Sequence, residues 1–242
     1  VDNSIVSSDE FLHSNINGVH HLLELIKGRR GLKMPTLVHF STDEVYGDVI
    51  EGSHSEKDLL KPSNPYSATK AAADMLILAW ARTYGIPYLI VRPTNNYGIY
   101  QYTEKLIPQA CKCLTLGRKI DLHNGGEPYR NWLHAQDTAD GVVTVIESGA
   151  TNEIFNIAGG FEQQNILTVK KIINCWGDHD VNVYMEDDYY NTHINFSCKR
   201  PGQDVRYALD DSKLKKLGWF PTKMFDQELP KIVEYYKKNF IW

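Results

Sequence analysis

Apolar residues at Phe11, Leu12, Ile16, Val19, Leu22, Leu23 and Ile26 recur at helical spacing, after Ser7-x-x-Glu10 in capping-box order and before Gly28, so the chain is expected to open with an amphipathic helix. Thr36 to Phe40 is a short apolar run between Pro35 and the polar Ser41-Thr42-Asp43-Glu44, the pattern of a strand buried on both faces. Asn64 can cap a helix and Pro65 suits its first position, which predicts a helix running to Gly85, ahead of Pro87. Tyr88 to Val91 then reads as the next buried strand. Strand, helix and strand in that order form a βαβ unit with a right-handed crossover and a parallel sheet.

Beyond Gly98 the pattern loosens. A helix is predicted from about Glu104 to Leu116, stopping at Gly117, and short strands flank the Asn124-Gly125-Gly126 turn. Asp137 is the expected cap of a helix ending near Gly149, Ile154 to Ala158 reads as a buried strand, and helices are predicted near 168–176 and 226–240. The fold class is α/β, with residues 1–98 and 137–160 in one domain and 99–136 and 161–242 in a smaller lobe over the carboxyl ends of the sheet.

Composition changes this picture only by exclusion. A 242-residue chain with 42% hydrophobic and 23% charged residues is an ordinary globular sequence. A net charge of −4 with no Lys/Arg-rich run argues against nucleic acid as a partner, and no apolar stretch is long enough to span a bilayer. Val1-Asp2-Asn3-Ser4 has no secretory pattern, which gives a cytoplasmic expectation. Cys111, Cys113, Cys175 and Cys198 lack metal-ligand spacing, so no metal site is expected.

The candidate chemistry lies in two segments, Ser41-Thr42-Asp43-Glu44-Val45-Tyr46-Gly47 and Tyr66-Ser67-Ala68-Thr69-Lys70. Tyr66 and Lys70 are one helical turn apart and share a face. A phenol with an ordinary pKa of about 10 is a poor base at neutral pH, and both a nearby ammonium and the helix N-terminus would lower it. The bland reading is two solvated helix residues. Thr42, Asp43 and Glu44 cannot all face one side of a regular strand, so the chain must leave strand geometry there. Converging carboxyls could then serve as acid and base; alternatively Asp43 caps backbone amides and Glu44 is solvated.

These segments resemble the extended short-chain dehydrogenase/reductase superfamily, and within it the nucleotide-diphosphate-sugar 4,6-dehydratases. The likeness continues through Arg92-Pro93-Thr94-Asn95-Asn96-Tyr97-Gly98, Glu104-Lys105-Leu106-Ile107-Pro108, Arg130-Asn131-Trp132 and Arg200-Pro201-Gly202. Asp43-Glu44 after Thr42 is the discriminating pair, because related epimerases usually have small residues there, and decarboxylases and GDP-mannose dehydratases typically keep only the glutamate. The resemblance implies a Rossmann-like doubly wound parallel sheet that binds NAD, and a lobe that binds the nucleotide sugar. It implies that Tyr66, with Lys70 and Thr42, takes the proton of the sugar 4-hydroxyl as hydride leaves C4, that Glu44 removes the C5 proton, and that Asp43 protonates the departing 6-hydroxyl. Asn15, Tyr66, Lys70 and Asn96 match cofactor-binding positions. Thr42, Asn95, Lys105, Leu106, Asp121, Leu122, His123, Arg130, Asn156 and Arg200 match positions lining the nucleotide-sugar site, where the arginines suit phosphate.

Three positions depart from the family: Thr103 stands for Pro, Asn131 for Asp and Gln203 for His. The family's Gly-x-Gly-x-x-Gly or Gly-x-x-Gly-x-x-Gly loop does not occur in these 242 residues. The resemblance places Val1 inside the cofactor domain, so the sequence is expected to be a portion of an NAD-binding 4,6-dehydratase. The alternatives are a 4-epimerase, a decarboxylase, or a nucleotide-sugar-binding remnant without catalysis. A homodimer through the helices at 9–27 and 65–84 is also implied.

Overall fold

The computed structural model describes residues 1–29, 33–202 and 204–239. The chain divides into two compact units: residues 1–94, 139–158 and 206–220 in the first, and 95–138, 159–205 and 221–242 in the second. Residues 95–98 thus belong to the second unit and 206–220 to the first, which differs from the division expected from sequence.

The first unit begins with α1 (Asp2–Val6), α2 (Asp9–Phe11) and α3 (Gly18–Lys27), with a π-helical segment, Leu12–Asn17, joining the last two. The expected capping box does not form. Ser7 closes α1, and Ser8 stands at the N-cap of α2 without a side-chain cap bond. Strand β1 (Leu37–Phe40) leads to α4 (Pro65–Tyr84) and then β2 (Tyr88–Pro93). Asn64 accepts from the Ser67 amide while Ser67 reaches back to the Asn64 amide, Pro65 fills the first turn, and Gly85 ends the helix in the left-handed region at φ 72°.

Strand order is β1-β2-β6, with β6 being Glu153–Ile157, and both pairings are parallel, Leu37 opposite Tyr88 and Ile90 opposite Ile154. Burial separates the strands: β2 is buried along all but Pro93, whereas β1 is half-buried and Phe40 is 50% exposed. Among the described residues β1 pairs only with β2. Val19, Leu23 and Ile26 of α3, Ala73 and Ile77 of α4, and Ile86, Tyr88 and Ile90 form the apolar core here. Residues 139 onward of α6 (Ala135–Glu147) and the short α9 (Ser212–Lys215) complete this unit.

The second unit contains β3 (Asn95–Tyr97), β5 (Tyr129–His134) and β7 (Phe161–Gln164) in the order β3-β5-β7, the first pair parallel and the second antiparallel. α5 (Leu106–Thr115), α7 (Asn165–Trp176) and α10 (Phe225–Lys238) enclose a core that includes Tyr97, Ile107, Trp132, Ile172, Phe225 and Val233. The expected end of the last helix, residue 240, lies outside the described residues, as does Gln203. Strand β4 (Ile120–Asp121) pairs in parallel with β8 (Ile194–Asn195), which follows α8 (Asp187–His193). Asp137 does not cap α6: it lies in the first turn, where its carboxylate accepts from the Thr222 amide and hydroxyl and the Lys223 amide. No helix among the described residues is long and apolar enough to cross a membrane.

Candidate active site

The polar segment after β1 does leave strand geometry. Thr42 is extended at φ −158° and ψ 156°, and Asp43–Tyr46 form a 3-10 turn in which the Thr42 hydroxyl accepts from the Glu44 amide at 3.3 Å. Thr42, not Asp43, therefore caps the turn. Asp43 is buried, with Oδ1 accepting from the Thr42 hydroxyl at 3.1 Å and Oδ2 from the Thr94 hydroxyl at 3.0 Å. Glu44 is half-buried, and Asn64 donates to its Oε2 at 3.2 Å. The cap residue of α4 thus also aims a carboxylate, a duty that capping statistics do not reveal. Gly47 closes the turn at φ 79° and ψ −165°, where a Cβ would run into the Lys61 carbonyl oxygen.

Tyr66 lies in the first turn of α4, in edge contact with Phe11 at 6.1 Å and within electrostatic reach of Thr42, Asp43 and Glu44. Beside it runs one hydrogen-bonded series, Thr42 to Asp43 to Thr94. The electrostatics reverse the sign expected from sequence. Burial first, then the Glu44 and Asp43 charges, push the Tyr66 phenol above its ordinary value, and the Thr42 hydrogen bond only partly opposes them. Lys70 turns its ammonium to the Phe40 carbonyl at 2.5 Å, at the end of β1. Burial lowers the Lys70 pKa and the Asp74 charge opposes that.

Asn15 lies in the π-helical segment and donates to the Thr69 hydroxyl at 2.9 Å, which fixes it beside α4. Asn156 is fully buried: its oxygen accepts from Tyr46, and its amide nitrogen donates to the His54 and Asp210 carbonyls. That side chain fastens the interior of the first unit.

The remaining candidates belong to the second unit. Asn95 and Asn96 are in β3; the Asn95 side-chain oxygen is buried without a hydrogen-bond partner among the described residues, and the Asn96 carbonyl accepts from Gln101 at 2.7 Å. Lys105 is the exposed residue before α5 and Leu106 its first residue. The β4–β8 pairing brings Asp121, Leu122 and His123 against 195–200: the Leu122 and Asn124 amides donate to the Asn195 and Cys198 carbonyls, and the Arg200 amide donates to the Asn124 side chain. Arg130 donates to the Asp204 carbonyl at 3.3 Å and to the Tyr129 carbonyl at 2.6 Å. Two residues separated by more than seventy positions are thereby held to one segment. Asn131 is buried and accepts from the Gly159 amide. No cluster of three metal-ligating side chains occurs among the described residues.

Sequence reasoning passed over Ser41, Asp74, Arg92 and Thr94, all of them buried. The available signal was an aspartate one turn beyond Lys70, and an arginine inside an otherwise apolar strand. The Tyr66 phenol and Lys70 ammonium beside the carboxyl end of β1, with the Asn15 amide fixed against α4, make a donor set that suits a dinucleotide's ribose, so the residues present fit a nicotinamide cofactor.

A parallel βαβ sheet with this turn and helix defines a Rossmann-like fold of the short-chain dehydrogenase/reductase type. Residues 1–232 match the family described as GDP-mannose 4,6 dehydratase, and the chain belongs to that family. It is 38% identical over 248 residues to the dTDP-glucose 4,6-dehydratase of Haemophilus influenzae, covering 99% of this chain and 73% of that protein. It is 39% identical over 246 residues to a trifunctional UDP-glucose 4,6-dehydratase/UDP-4-keto-6-deoxy-D-glucose 3,5-epimerase/UDP-4-keto-L-rhamnose-reductase of Arabidopsis thaliana, covering 100% of this chain and 35% of that one. The crystal structure of DesIV, a dTDP-glucose 4,6-dehydratase from Streptomyces venezuelae with NAD and TYD bound, superposes with a TM-score of 0.88 at 35% identity, covering 99% of this chain and 70% of that chain.

Proposed function

We propose that this chain carries the chemistry of a nucleotide-diphosphate-glucose 4,6-dehydratase, turning an NDP-hexose into an NDP-4-keto-6-deoxyhexose. The observation that carries this reading is the Thr42–Asp43–Thr94 hydrogen-bonded series within electrostatic reach of Tyr66, with Glu44 held beside it by Asn64. NAD, when bound, supplies a hydride acceptor at C4, a hydride donor at C6, and a positive charge. Tyr66, assisted by Thr42 and Lys70, takes the 4-hydroxyl proton as the C4–H bond breaks. Because burial and the neighbouring carboxylates raise the Tyr66 pKa, neighbouring positive charge is what brings the phenolate within reach. The new 4-ketone acidifies the C5 hydrogen; Glu44 removes that proton, Asp43 gives a proton to the 6-hydroxyl, and water departs. A proton then returns to C5 as C6 is reduced, so the cofactor ends each turnover as it began.

Asn15, Asn96 and Lys70 are proposed to hold the cofactor. Asn95, Lys105, Leu106, Asp121, Leu122, His123, Arg130 and Arg200 are proposed to hold the nucleotide sugar, with Thr103, Asn131 and Gln203 tuning base or sugar preference. A homodimer is proposed through the α2–α3 and α4 surfaces, where Leu12, Leu22, Leu25 and Met75 are exposed; light scattering at the monomer mass would refute it. The function is tested by incubating the protein with NAD and thymidine- or uridine-diphosphoglucose and reading the product by mass spectrometry. Loss of one water is expected from at least one sugar, and its absence from all of them rejects the reading. Tyr66→Phe should slow turnover by roughly 10²–10⁴-fold.

A further inference from the structure

Tyr66, Lys70 and Asp74 follow one another at intervals of four residues along α4, so the three side chains share one face of the helix. Asp74 has no solvent-exposed surface. Its Oδ2 accepts from the Ser41 hydroxyl at 3.0 Å, from Arg92 Nε at 3.1 Å and from Arg92 Nη2 at 2.9 Å. Arg92, itself 2% exposed, uses its remaining fork to donate to the Tyr46 hydroxyl at 2.6 Å, and Tyr46 donates to Asn156. Each partner adjoins a residue of the reaction machinery. Ser41 directly precedes Thr42, Tyr46 ends the turn that carries Asp43 and Glu44, and Arg92 stands two residues before Thr94, which binds Asp43.

We infer that Asp74 is a positioning residue for the dehydratase reaction, tying the Tyr66–Lys70 face of α4 to the ends of β1 and β2 so that phenol, ammonium and both carboxylates keep one register. A single carboxylate oxygen joins three elements, each of which carries part of the proposed machinery. The charge has a second consequence. From α4 Lys70 faces Asp74, from β2 Arg92, and from β1 His39, whose Nε2 lies 3.6 Å from Oδ1. Burial, Lys70 and Arg92 hold His39 near pKa 3, which leaves it neutral, so Asp74 answers two cations with one anion. Asp74 is also the charge that resists the burial-driven fall in the Lys70 pKa. An aspartate here therefore fixes both where Lys70 sits and how readily it keeps its proton.

The inference rests on the proposed dehydratase reading, so its test includes measurements that need no turnover. Ser41→Ala removes one tie and leaves the ion pair; Ser41→Thr keeps the hydroxyl; Asp74→Asn keeps the shape and removes the charge. Hydrogen exchange read by mass spectrometry should show residues 42–47 exchanging at least tenfold faster in Ser41→Ala, wild-type exchange in Ser41→Thr, and unchanged exchange in α10. Competitive acetylation across pH should place the Lys70 midpoint lower in Asp74→Asn than in the wild type. If the wild type turns over, both Ser41→Ala and Asp74→Asn should lose kcat by more than tenfold with KM within about twofold. Wild-type exchange at 42–47 in Ser41→Ala, or a wild-type Lys70 midpoint in folded Asp74→Asn, overturns the inference. An inactive wild type refutes the proposed function alone, because exchange and labelling still report on Asp74.

Discussion

Around β2 the first unit buries Asp74, Arg92, Ser41, Tyr46 and Asn156 in one hydrogen-bonded set, whereas the second unit is centred on Tyr97, Trp132, Phe161 and Phe225, whose ring centroids lie 4.9 to 6.2 Å apart. Both are interiors, but they specify different things. Aromatic packing is adaptable, and a core of suitable volume can shift without losing its fold. A buried ion pair adds little net stability because desolvation offsets its attraction, yet it tolerates few alternative geometries. The polar interior lies beside Thr42, Asp43 and Tyr66, the proposed reaction machinery; the aromatic interior lies away from it in sequence and unit.

The sharpest way to break that contrast is to remove one member from each interior. Arg92→Met leaves the Asp74 carboxylate buried without its hydrogen-bonded cation and should cost about 3–5 kcal/mol. Replacing both, as Arg92→Met with Asp74→Leu, should recover much of that stability in urea unfolding while leaving turnover impaired. Phe225→Ala opens a cavity among three aromatic neighbours and should cost about 3–5 kcal/mol, with turnover per folded molecule kept. Equal loss of turnover in both would erase the distinction.

A smaller effect is expected at Gly47. An alanine there must adopt a backbone region essentially reserved for glycine and displace the Lys61 carbonyl, costing roughly 1–3 kcal/mol, and kcat should fall because the 43–46 turn moves. The smallest effect concerns acid. His39 is held near pKa 3 against an ordinary 6.5 by burial and by the Lys70 and Arg92 charges. Between those values the unfolded chain binds a proton that the folded chain refuses, so stability is greatest above pH 6.5 and falls as pH drops towards 3. His39→Leu should make that acid limb shallower in thermal melts across pH, and an unchanged limb would contradict the burial of neutral His39.

How much was legible in the sequence follows the same contrast. The βαβ order, the Asn64-Pro65 start and Gly85 stop of α4, and the departure from strand geometry at Thr42-Asp43-Glu44 were all readable, since local backbone chemistry decides them. Strand β8 was missed because two residues pair with a segment more than seventy positions away. The sign of the Tyr66 shift was misjudged for a related reason. Spacing puts Lys70 near the phenol, but only the folded chain shows Tyr66 buried beside Glu44 and Asp43 while Lys70 turns to the Phe40 carbonyl. Asp74 and Arg92 broke an apolar pattern, and their partnership is a fact of tertiary structure.

The account's central claim is that one hydrogen travels from C4 to C6 of the same sugar while water is lost. It is tested by supplying NDP-glucose deuterated at C4, together with NAD, in ordinary water. The proposed chemistry predicts a dehydrated 4-keto product that carries the deuterium on C6, read by mass spectrometry and proton NMR. A sugar that keeps its oxygen and returns the deuterium to C4, or a product whose label has passed to solvent, would contradict it.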